Sequence, residues 1–329
     1  MPKTPPPVRT AYTVAVLLAV TVLSSLAAAA DGPAATWVQL NPANSPSPRG
    51  VSAMAYDPAS QKVVMFGGYD DTTYLNDTWT WDGTTWTQAN TPVAPSPRTS
   101  AMMAYDLATR KLVLFGGYDG NQFLGDTWLW DGVTSTWTQA HPRSSPRALG
   151  GAMLFTDPKN GHAYLYGGFD GQFYQLQTWR WAGGTWQLLH PSTSPYARGW
   201  GIVGLDLARK SVVVSGGLGD VRTDNTWLWN GSDWTQEQPA TRIPKIFDPA
   251  AAFDPDFRAV VVFGGDDGGG QLSTTWGWTG SDWTLGQPLQ SPPGRESHGM
   301  AYDFTSKQLL VFGGTSDIFL NDTWSLVSQ

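Results

Sequence analysis

A pair of glycines that follows a short apolar run recurs six times along the 329-residue chain. No other feature constrains the fold as strongly. The first glycines of successive pairs lie 49, 51, 49, 48 and 49 residues apart, at Gly67, Gly116, Gly167, Gly216, Gly264 and Gly313. So regular a period is typical of one supersecondary unit that is repeated along the chain. The sequence therefore predicts a single repeat architecture.

Each repeat is predicted to contain four short strands. In the first repeat these are "SAMAYD" (52–57), "KVVMFGG" (62–68), "DTWTWDG" (77–83) and "TWTQ" (85–88). The second strand is apolar throughout, which is typical of burial on both faces. The third places Trp79 and Trp81 on one face, because side chains alternate along a strand. The high content of glycine (37) and proline (24) fits short strands that are joined by tight turns.

This unit resembles a kelch repeat: an arginine, a first strand, an apolar strand ending in Gly-Gly, and an aromatic strand followed by a tryptophan. The resemblance covers residues 31–329. It implies an all-β fold, a six-bladed β-propeller in which each repeat forms one four-stranded blade. The doubled "TWxW" pattern departs from the commonest kelch pattern and is similar to that of secreted bacterial members.

The two ends of the chain predict how the ring closes. The last repeat stops at "NDTWSLVSQ" (321–329) and lacks a fourth strand. Near the N-terminus, "TWVQL" (36–40) matches the fourth-strand sequence "TWTQA" (85–89). We therefore expect the N-terminal strand to pair beside residues 323–327 and complete blade six, which would remove free sheet edges.

Residues 1–30 have the pattern of a secretory signal peptide. Lys3 and Arg9 precede an apolar stretch at 11–26, and three alanines at 28–30 fit a cleavage site. The alternative is an uncleaved membrane anchor. Cleavage would leave one propeller domain, residues 31–329, with no further apolar run long enough to span a membrane. We expect this domain to be a monomer in an extracellular or periplasmic location.

Charge and composition argue against several classes of function. Loss of Lys3 and Arg9 would change the formal net charge from -7 to -9, so a basic surface for nucleic acid is not expected. The chain has no cysteine, which excludes disulfides and makes the cysteine-linked copper site of galactose oxidase implausible. The four histidines lack zinc-site spacing, and no nucleotide-binding fingerprint follows a strand. We expect neither a metal nor a cofactor.

The repeats separate structural residues from candidate site residues. Of the 18 tryptophans, 17 recur at equivalent positions and are predicted to pack between blades. Trp200 has no counterpart. It lies two residues after Arg198, in a segment that leads into the innermost strand near the top of the central channel in kelch propellers. Trp200 could stack on a ligand or plug the channel, and the sequence leaves both readings open.

Arginines also recur before the first strands, which favours a structural role over an anion-binding ring. They are Arg49, Arg98, Arg147, Arg198 and Arg295, whereas blade five has Ile246. In blade six, Glu296, Ser297 and His298 follow Arg295 directly. Glu296 and His298 are candidates for proton transfer. The alternative, which we favour from the sequence, is that these polar side chains simply line a water-filled channel.

A third set of candidates lies between the second and third strands, in loops expected on the same face. Four blades carry an aromatic residue at the equivalent position, and a fifth carries Arg222. The full predicted ligand site is Tyr74, Phe123, Tyr174, Arg198, Trp200, Arg222, Arg295, Ser297 and Phe319.

These residues support a binding module for an extracellular carbohydrate or protein, with the ligand on the top face. The alternative is a sugar mutarotase or epimerase, because kelch-like sialate mutarotases belong to the family that the chain resembles. Glu296 and His298 would then supply acid and base groups, and the arginines would bind an anion. A purely structural surface protein is the third possibility.

Overall fold

The computed structural model describes residues 35–328, which form 24 strands in six four-stranded antiparallel sheets. The predicted signal peptide, residues 1–30, lies outside the described residues. Within 35–328 no helix is long and apolar enough to cross a membrane. The all-β, six-bladed fold expected from the repeats is confirmed.

Blades one to three follow one another along the chain. Blade one contains β2 (Ala53–Asp57), β3 (Lys62–Tyr69), β4 (Tyr74–Trp81) and β5 (Trp86–Gln88), after the N-terminal strand β1 (Ala35–Leu40). Blade two contains β6 (Met102–Asp106), β7 (Lys111–Phe115), β8 (Thr127–Asp131) and β9 (Thr136–Ala140). Blade three contains β10 (Met153–Thr156), β11 (Ala163–Tyr166), β12 (Thr178–Ala182) and β13 (Thr185–Leu189).

The remaining blades repeat the same pattern. Blade four contains β14 (Ile202–Asp206), β15 (Ser211–Ser215), β16 (Thr226–Trp229) and β17 (Trp234–Glu237). Blade five contains β18 (Ala250–Asp254), β19 (Ala259–Phe263), β20 (Thr275–Trp278) and β21 (Trp283–Leu285). Blade six contains β22 (Gly299–Asp303), β23 (Gln308–Phe312) and β24 (Thr323–Ser328), with β1 as its outermost strand. The first strand of each blade contacts its counterparts in both neighbouring blades, so these six strands surround a central channel.

The predicted closure of the ring is confirmed. Strand β1 pairs antiparallel with β24, with Leu40 opposite Thr323 and Trp37 opposite Leu326. The Trp37 indole N–H donates to Thr275 Oγ1 at 3.0 Å, in the neighbouring blade five. Trp37 is fully buried. The N-terminal strand therefore supplies both the missing ladder and the missing inter-blade contact of blade six.

The recurring tryptophans pack between blades, as predicted. In every blade the fourth-strand tryptophan is buried and donates its indole N–H to a threonine of the preceding blade at 2.8–3.1 Å. The pairs are Trp37–Thr275, Trp86–Thr323, Trp137–Thr78, Trp186–Thr127, Trp234–Thr178 and Trp283–Thr226. Such side chains combine a large buried apolar area with one satisfied polar atom. They fix each blade against the next.

Buried arginine–aspartate pairs hold the top of three blades. In blade two, Arg98 Nη1 and Nη2 donate to Asp126 Oδ1 and Oδ2 at 2.6 and 2.9 Å. Arg98 Nη1 also donates to the carbonyl of Gly116, the first glycine of the recurring pair. The equivalent pairs are Arg49–Asp77 in blade one and Arg295–Asp322 in blade six. These guanidinium groups are buried, which favours the structural role over an anion-binding ring.

The placement of Arg147 among the recurring arginines is wrong. In blade three the equivalent position belongs to Leu149, whose N–H donates to Leu124 O as that of Arg98 donates to Leu75 O. The segment "SSPRALGG" has two additional residues between the arginine and the first strand, which shifts Arg147 outward. Its side chain is 63% exposed and forms an ion pair with Asp170.

Candidate functional site

Six equivalent residues form a closed ring of backbone hydrogen bonds at the top of the channel. The N–H of each donates to the carbonyl of its counterpart in the preceding blade, at 2.7–3.2 Å. All six have a left-handed backbone with φ between 50° and 61°. The members are Val51, Ser100, Gly151, Trp200, Asp248 and Ser297. Five are not glycine, although this conformation is unfavourable for them, so the surrounding propeller enforces it. We call this feature the mouth ring.

A continuous series of eight aromatic side chains borders the mouth ring on the top face. Successive ring centroids lie 4.9–6.4 Å apart. The series, which we call the aromatic arc, consists of Phe319, Tyr69, Tyr74, Tyr118, Phe123, Phe169, Tyr174 and Trp200. Each member is partly exposed. The arc starts in blade six, crosses blades one to three and ends at Trp200 in blade four.

Three members of the arc were missed by the sequence reasoning, although a signal for them exists. Tyr69, Tyr118 and Phe169 each follow a recurring Gly-Gly pair directly. Each pairs with the predicted aromatic residue of the same loop, for example Tyr118 with Phe123 at 5.0 Å between centroids. An aromatic residue directly after the glycine pair is therefore the pattern that would have predicted them.

Trp200 lies where the mouth ring and the aromatic arc meet. Its indole covers Gly151, where a Cβ atom would come within 2.4 Å of the ring. Phe169 and Tyr174 flank it with centroid distances of 6.2 and 6.4 Å. The absence of a side chain at Gly151 creates the space that the indole fills. Trp200 thus covers part of the mouth and also presents part of its surface to solvent.

The arc is interrupted between blades four and six by a polar sector. Arg222 Nη1 lies 3.4 Å from Asp266 Oδ1, and its guanidinium carbon is 4.5 Å above the centroid of the Phe247 ring. Gln271 Nε2 donates to Glu296 Oε1 at 3.3 Å. Burial raises the pKa of Glu296, and the negative charge of Asp266 raises it further. The hydrogen bond from Gln271 and the positive charge of Arg222 partly offset this rise. The sector combines one cation with two carboxylates beside the mouth.

Asp248 and Ser297 place a carboxylate–hydroxyl pair in the mouth ring. Ser297 Oγ donates to Asp248 Oδ2. Burial raises the pKa of Asp248 to about 6, the Ser297 hydrogen bond opposes the rise, and the charge of Glu296 adds to it. Acidification below pH 6 therefore removes a negative charge from the mouth.

Three predicted site residues are buried behind the mouth. Arg295 is fully buried in its pair with Asp322, and Arg198 is fully buried and donates to Asn225 Oδ1, an amide in place of the carboxylate. Burial lowers the pKa of Arg198. Both nitrogens of His298 are buried, and its ring packs on Phe263 at 5.5 Å between centroids. The structure therefore brings together Trp200, Arg222, Glu296, Ser297 and the four predicted loop aromatics, but not these three.

His298 is expected to weaken the fold in acid. Burial and the charge of Arg295 lower the pKa of His298 to about 3, whereas an unfolded histidine titrates near pH 6.5. The unfolded chain therefore binds a proton that the folded chain does not, and stability falls as pH decreases from about 6.5 towards 3. We expect the melting temperature of His298→Leu to fall less than that of the native protein between pH 7 and pH 4, measured by differential scanning calorimetry. Parallel curves for the two proteins would contradict this expectation.

The described residues also bear on metal binding. Within 35–328, no three histidine, aspartate or glutamate side chains lie close enough together to hold a metal ion. The carboxylates of the polar sector contact Arg222 and Gln271, and that of Asp248 accepts from Ser297. The side chains at the mouth offer hydrogen bonding, ion pairing and contact with aromatic rings.

Comparison with known proteins agrees with the geometry. The family model described as the KLHDC2/KLHL20/DRC7 Kelch-repeats domain matches residues 29–217, more than half of the chain. A comparison with curated proteins gave no match. The repeat period, the six four-stranded blades and this match lead to one conclusion: the chain belongs to the kelch-repeat family, whose β-propellers are typical protein-interaction modules.

Proposed function

We propose that the chain is an extracellular or periplasmic protein-interaction module that binds its partner through the top face. The observation that carries this proposal is the aromatic arc, a connected apolar surface bordered by the charged residues of the polar sector. Protein interfaces commonly place aromatic anchors at the centre and polar groups at the rim. The predicted signal peptide supports the location.

The orientation of the rings favours a protein partner over a carbohydrate. Neighbouring rings of the arc are tilted or edge-on, for example Phe123 and Phe169 at 85° and Tyr69 and Phe319 at 79°. Their faces are therefore partly covered by each other, and fewer faces remain for stacking on a sugar. Exposed edges and phenolic hydroxyls suit the irregular surface of a folded protein or peptide.

Exposed apolar side chains extend this surface outward. Phe173, Val221 and Ile318 are 60%, 76% and 68% exposed and lie in the loops between the second and third strands of blades three, four and six. The loops of blades three and six also carry the arc members Tyr174 and Phe319, and the loop of blade four carries Arg222 of the polar sector. A partner seated on the arc would contact them, which makes them suitable positions for cross-linking.

The proposal is tested by site-specific cross-linking in the extracellular fraction of the source organism. A photoreactive benzoylphenylalanine at Phe173 or Ile318 is expected to capture one protein. The matched control is Val133, which is 71% exposed in the turn between β8 and β9 at the opposite end of the blades. Equal capture at Val133 would contradict a top-face interface. A glycan array run in parallel distinguishes the carbohydrate alternative, since glycan binding without protein capture would favour it.

Trp200→Ala is expected to weaken binding of the captured partner at least about 30-fold. Loss of a central aromatic anchor costs about 2 kcal/mol or more, and each 1.4 kcal/mol is a tenfold change in affinity. Isothermal titration calorimetry of the native protein, Trp200→Ala and the control Val133→Ala gives the comparison. Equal affinities for all three proteins would remove Trp200 from the site.

The side chains at the mouth do not support the mutarotase or epimerase alternative. It relied on Glu296 and His298 as an acid–base pair at the mouth. The nitrogens of His298 are buried and its lowered pKa keeps the ring neutral at physiological pH. Glu296 is left without the second group that was expected to act with it.

A further inference from the structure

The central channel has three levels, built from equivalent positions of the six innermost strands. The upper level is the mouth ring. The middle level consists of Met54, Met103, Leu154, Val203, Ala251 and Met300. The lower level consists of Tyr56, Tyr105, Thr156, Leu205, Phe253 and Tyr302. The levels span five residue steps, or roughly 16 Å at the rise of a strand. All eighteen residues line one cavity of about 650 Å³.

The middle level is apolar and the lower level is uncharged. The lower level also carries hydroxyls, of which that of Tyr56 is hydrogen-bonded to Thr305 Oγ1 and that of Thr156 donates to the carbonyl of Tyr105. All six side chains of the middle level are aliphatic or methionine. Five of the six innermost strands end in an aspartate, and Asp157 directly follows the sixth. These aspartates accept hydrogen bonds from the adjoining turns, as Asp57 does from Ala59 and Ser60 and Asp303 does from Thr305. Burial raises the pKa of Tyr302 to about 12, so this phenol stays neutral. The side chains of the middle level therefore offer water no hydrogen-bond partner.

The two ends of the cavity differ in polarity. At the upper end, adjacent backbones are hydrogen-bonded around all six blades and Trp200 covers part of the mouth. At the lower end, the rim carries the apolar side chains Pro58, Leu207 and Phe304, and Phe304 is 43% exposed. The apolar rim at the lower end suits the entry of an apolar molecule. Ser100 and Ser297 lie at the upper end, where the Ser297 hydroxyl donates to Asp248.

We propose that this channel binds one small, uncharged and predominantly apolar molecule, which enters from the end opposite the aromatic arc. The volume lies within the range of ligand sites, which are mostly apolar with a few polar groups. Apolar cavities remain dry and accept apolar guests, because water cannot be hydrogen-bonded there. The flexible methionines Met54, Met103 and Met300 can adapt to the shape of a guest. The cavity adjoins the proposed top-face interface at Trp200, which lines the cavity and is also the last member of the aromatic arc.

The proposal is tested with 1-N-phenylnaphthylamine, an uncharged fluorophore that brightens in apolar surroundings. The native protein is expected to bind one equivalent, with a rise in melting temperature because the ligand binds only the folded chain. Ala251→Trp fills the middle level and is expected to weaken binding at least tenfold. The matched control Val133→Trp adds the same side chain at an exposed turn and is expected to leave binding unchanged.

Methionine methyl NMR locates the probe without any substitution, which covers the case in which Ala251→Trp does not fold. The methyl signals of Met54, Met103 and Met300 are expected to shift on titration. Met65 is fully buried between blades and serves as the internal control. Failure of the native protein to bind the probe would overturn the proposal. Methyl shifts that spare the three channel methionines would also overturn it. The same holds if Tyr74→Ala, on the aromatic arc, weakens probe binding tenfold while Ala251→Trp leaves probe binding unchanged.

Discussion

Deleting residues 35–40 is expected to lower the melting temperature by more than about 10 °C, because the ring then loses the strand that completes blade six. The deletion removes the whole β1–β24 ladder, and it exposes β24 as a free edge. It also removes the indole of Trp37 from its contacts with Thr275 and Phe263 in blade five. Blade five would face an unfilled space, and the protein should become more prone to aggregation.

The contribution of Trp37 can be measured alone. Replacing a buried tryptophan with alanine costs about 3–5 kcal/mol, and Trp37→Ala should therefore account for much of the loss. Val38→Ala is the matched control, since Val38 lies on the same strand but is 41% exposed. Differential scanning calorimetry of the deletion and both variants tests the closure. A deletion variant that melts with the native protein would contradict it.

Asp126→Ala is expected to destabilise the fold by about 3–5 kcal/mol, because it leaves the buried guanidinium of Arg98 without its carboxylate. Burial by itself would raise the pKa of Asp126, but the hydrogen bond and charge of Arg98 outweigh it and the pKa is lowered. The pair therefore stabilises the fold above the ordinary aspartate pKa, and this stabilisation is lost as pH falls through the lowered value.

Two controls make the Asp126 experiment specific. Arg147→Ala removes the exposed partner of the pair with Asp170 and should cost less than about 1 kcal/mol. The loss of stability in Asp126→Asn should lie between those of the other two variants, because blade four already pairs Arg198 with the neutral amide of Asn225. Denaturant unfolding of the three variants ranks their free energies of unfolding. If Asp126→Ala is no less stable than Arg147→Ala, the buried pairs do not have the structural role assigned to them.

The fold could be predicted from the sequence because its causes repeat. The glycine pair, the apolar strand and the three tryptophan positions recur in nearly every blade, so each repeat supports the interpretation of the others. The chain ends also carried enough information to place β1 beside β24. The one wrongly assigned repeat position is that of Arg147. Blade three has two extra residues there, and leucine occupies the position of the arginine.

The candidate site was predictable only in part, since much of it depends on contacts between blades. The aromatic loop residues and Trp200 stood out as members of a pattern or exceptions to it. The mouth ring did not, because its members share a backbone conformation and not a residue type. The burial of Arg198, Arg295 and His298 likewise depends on neighbouring strands that a single repeat does not reveal.

The central claim is that recurring residues build the propeller, whereas Trp200 and the aromatic arc bind the partner. The most direct measurement compares Trp37→Ala with Trp200→Ala in two readouts, melting temperature and affinity for the partner captured at Phe173. We expect Trp37→Ala to melt about 10 °C lower while the folded protein keeps its affinity. We expect Trp200→Ala to melt near the native temperature and to bind at least about 30-fold more weakly. A Trp200→Ala variant that loses stability but keeps its affinity would contradict the account.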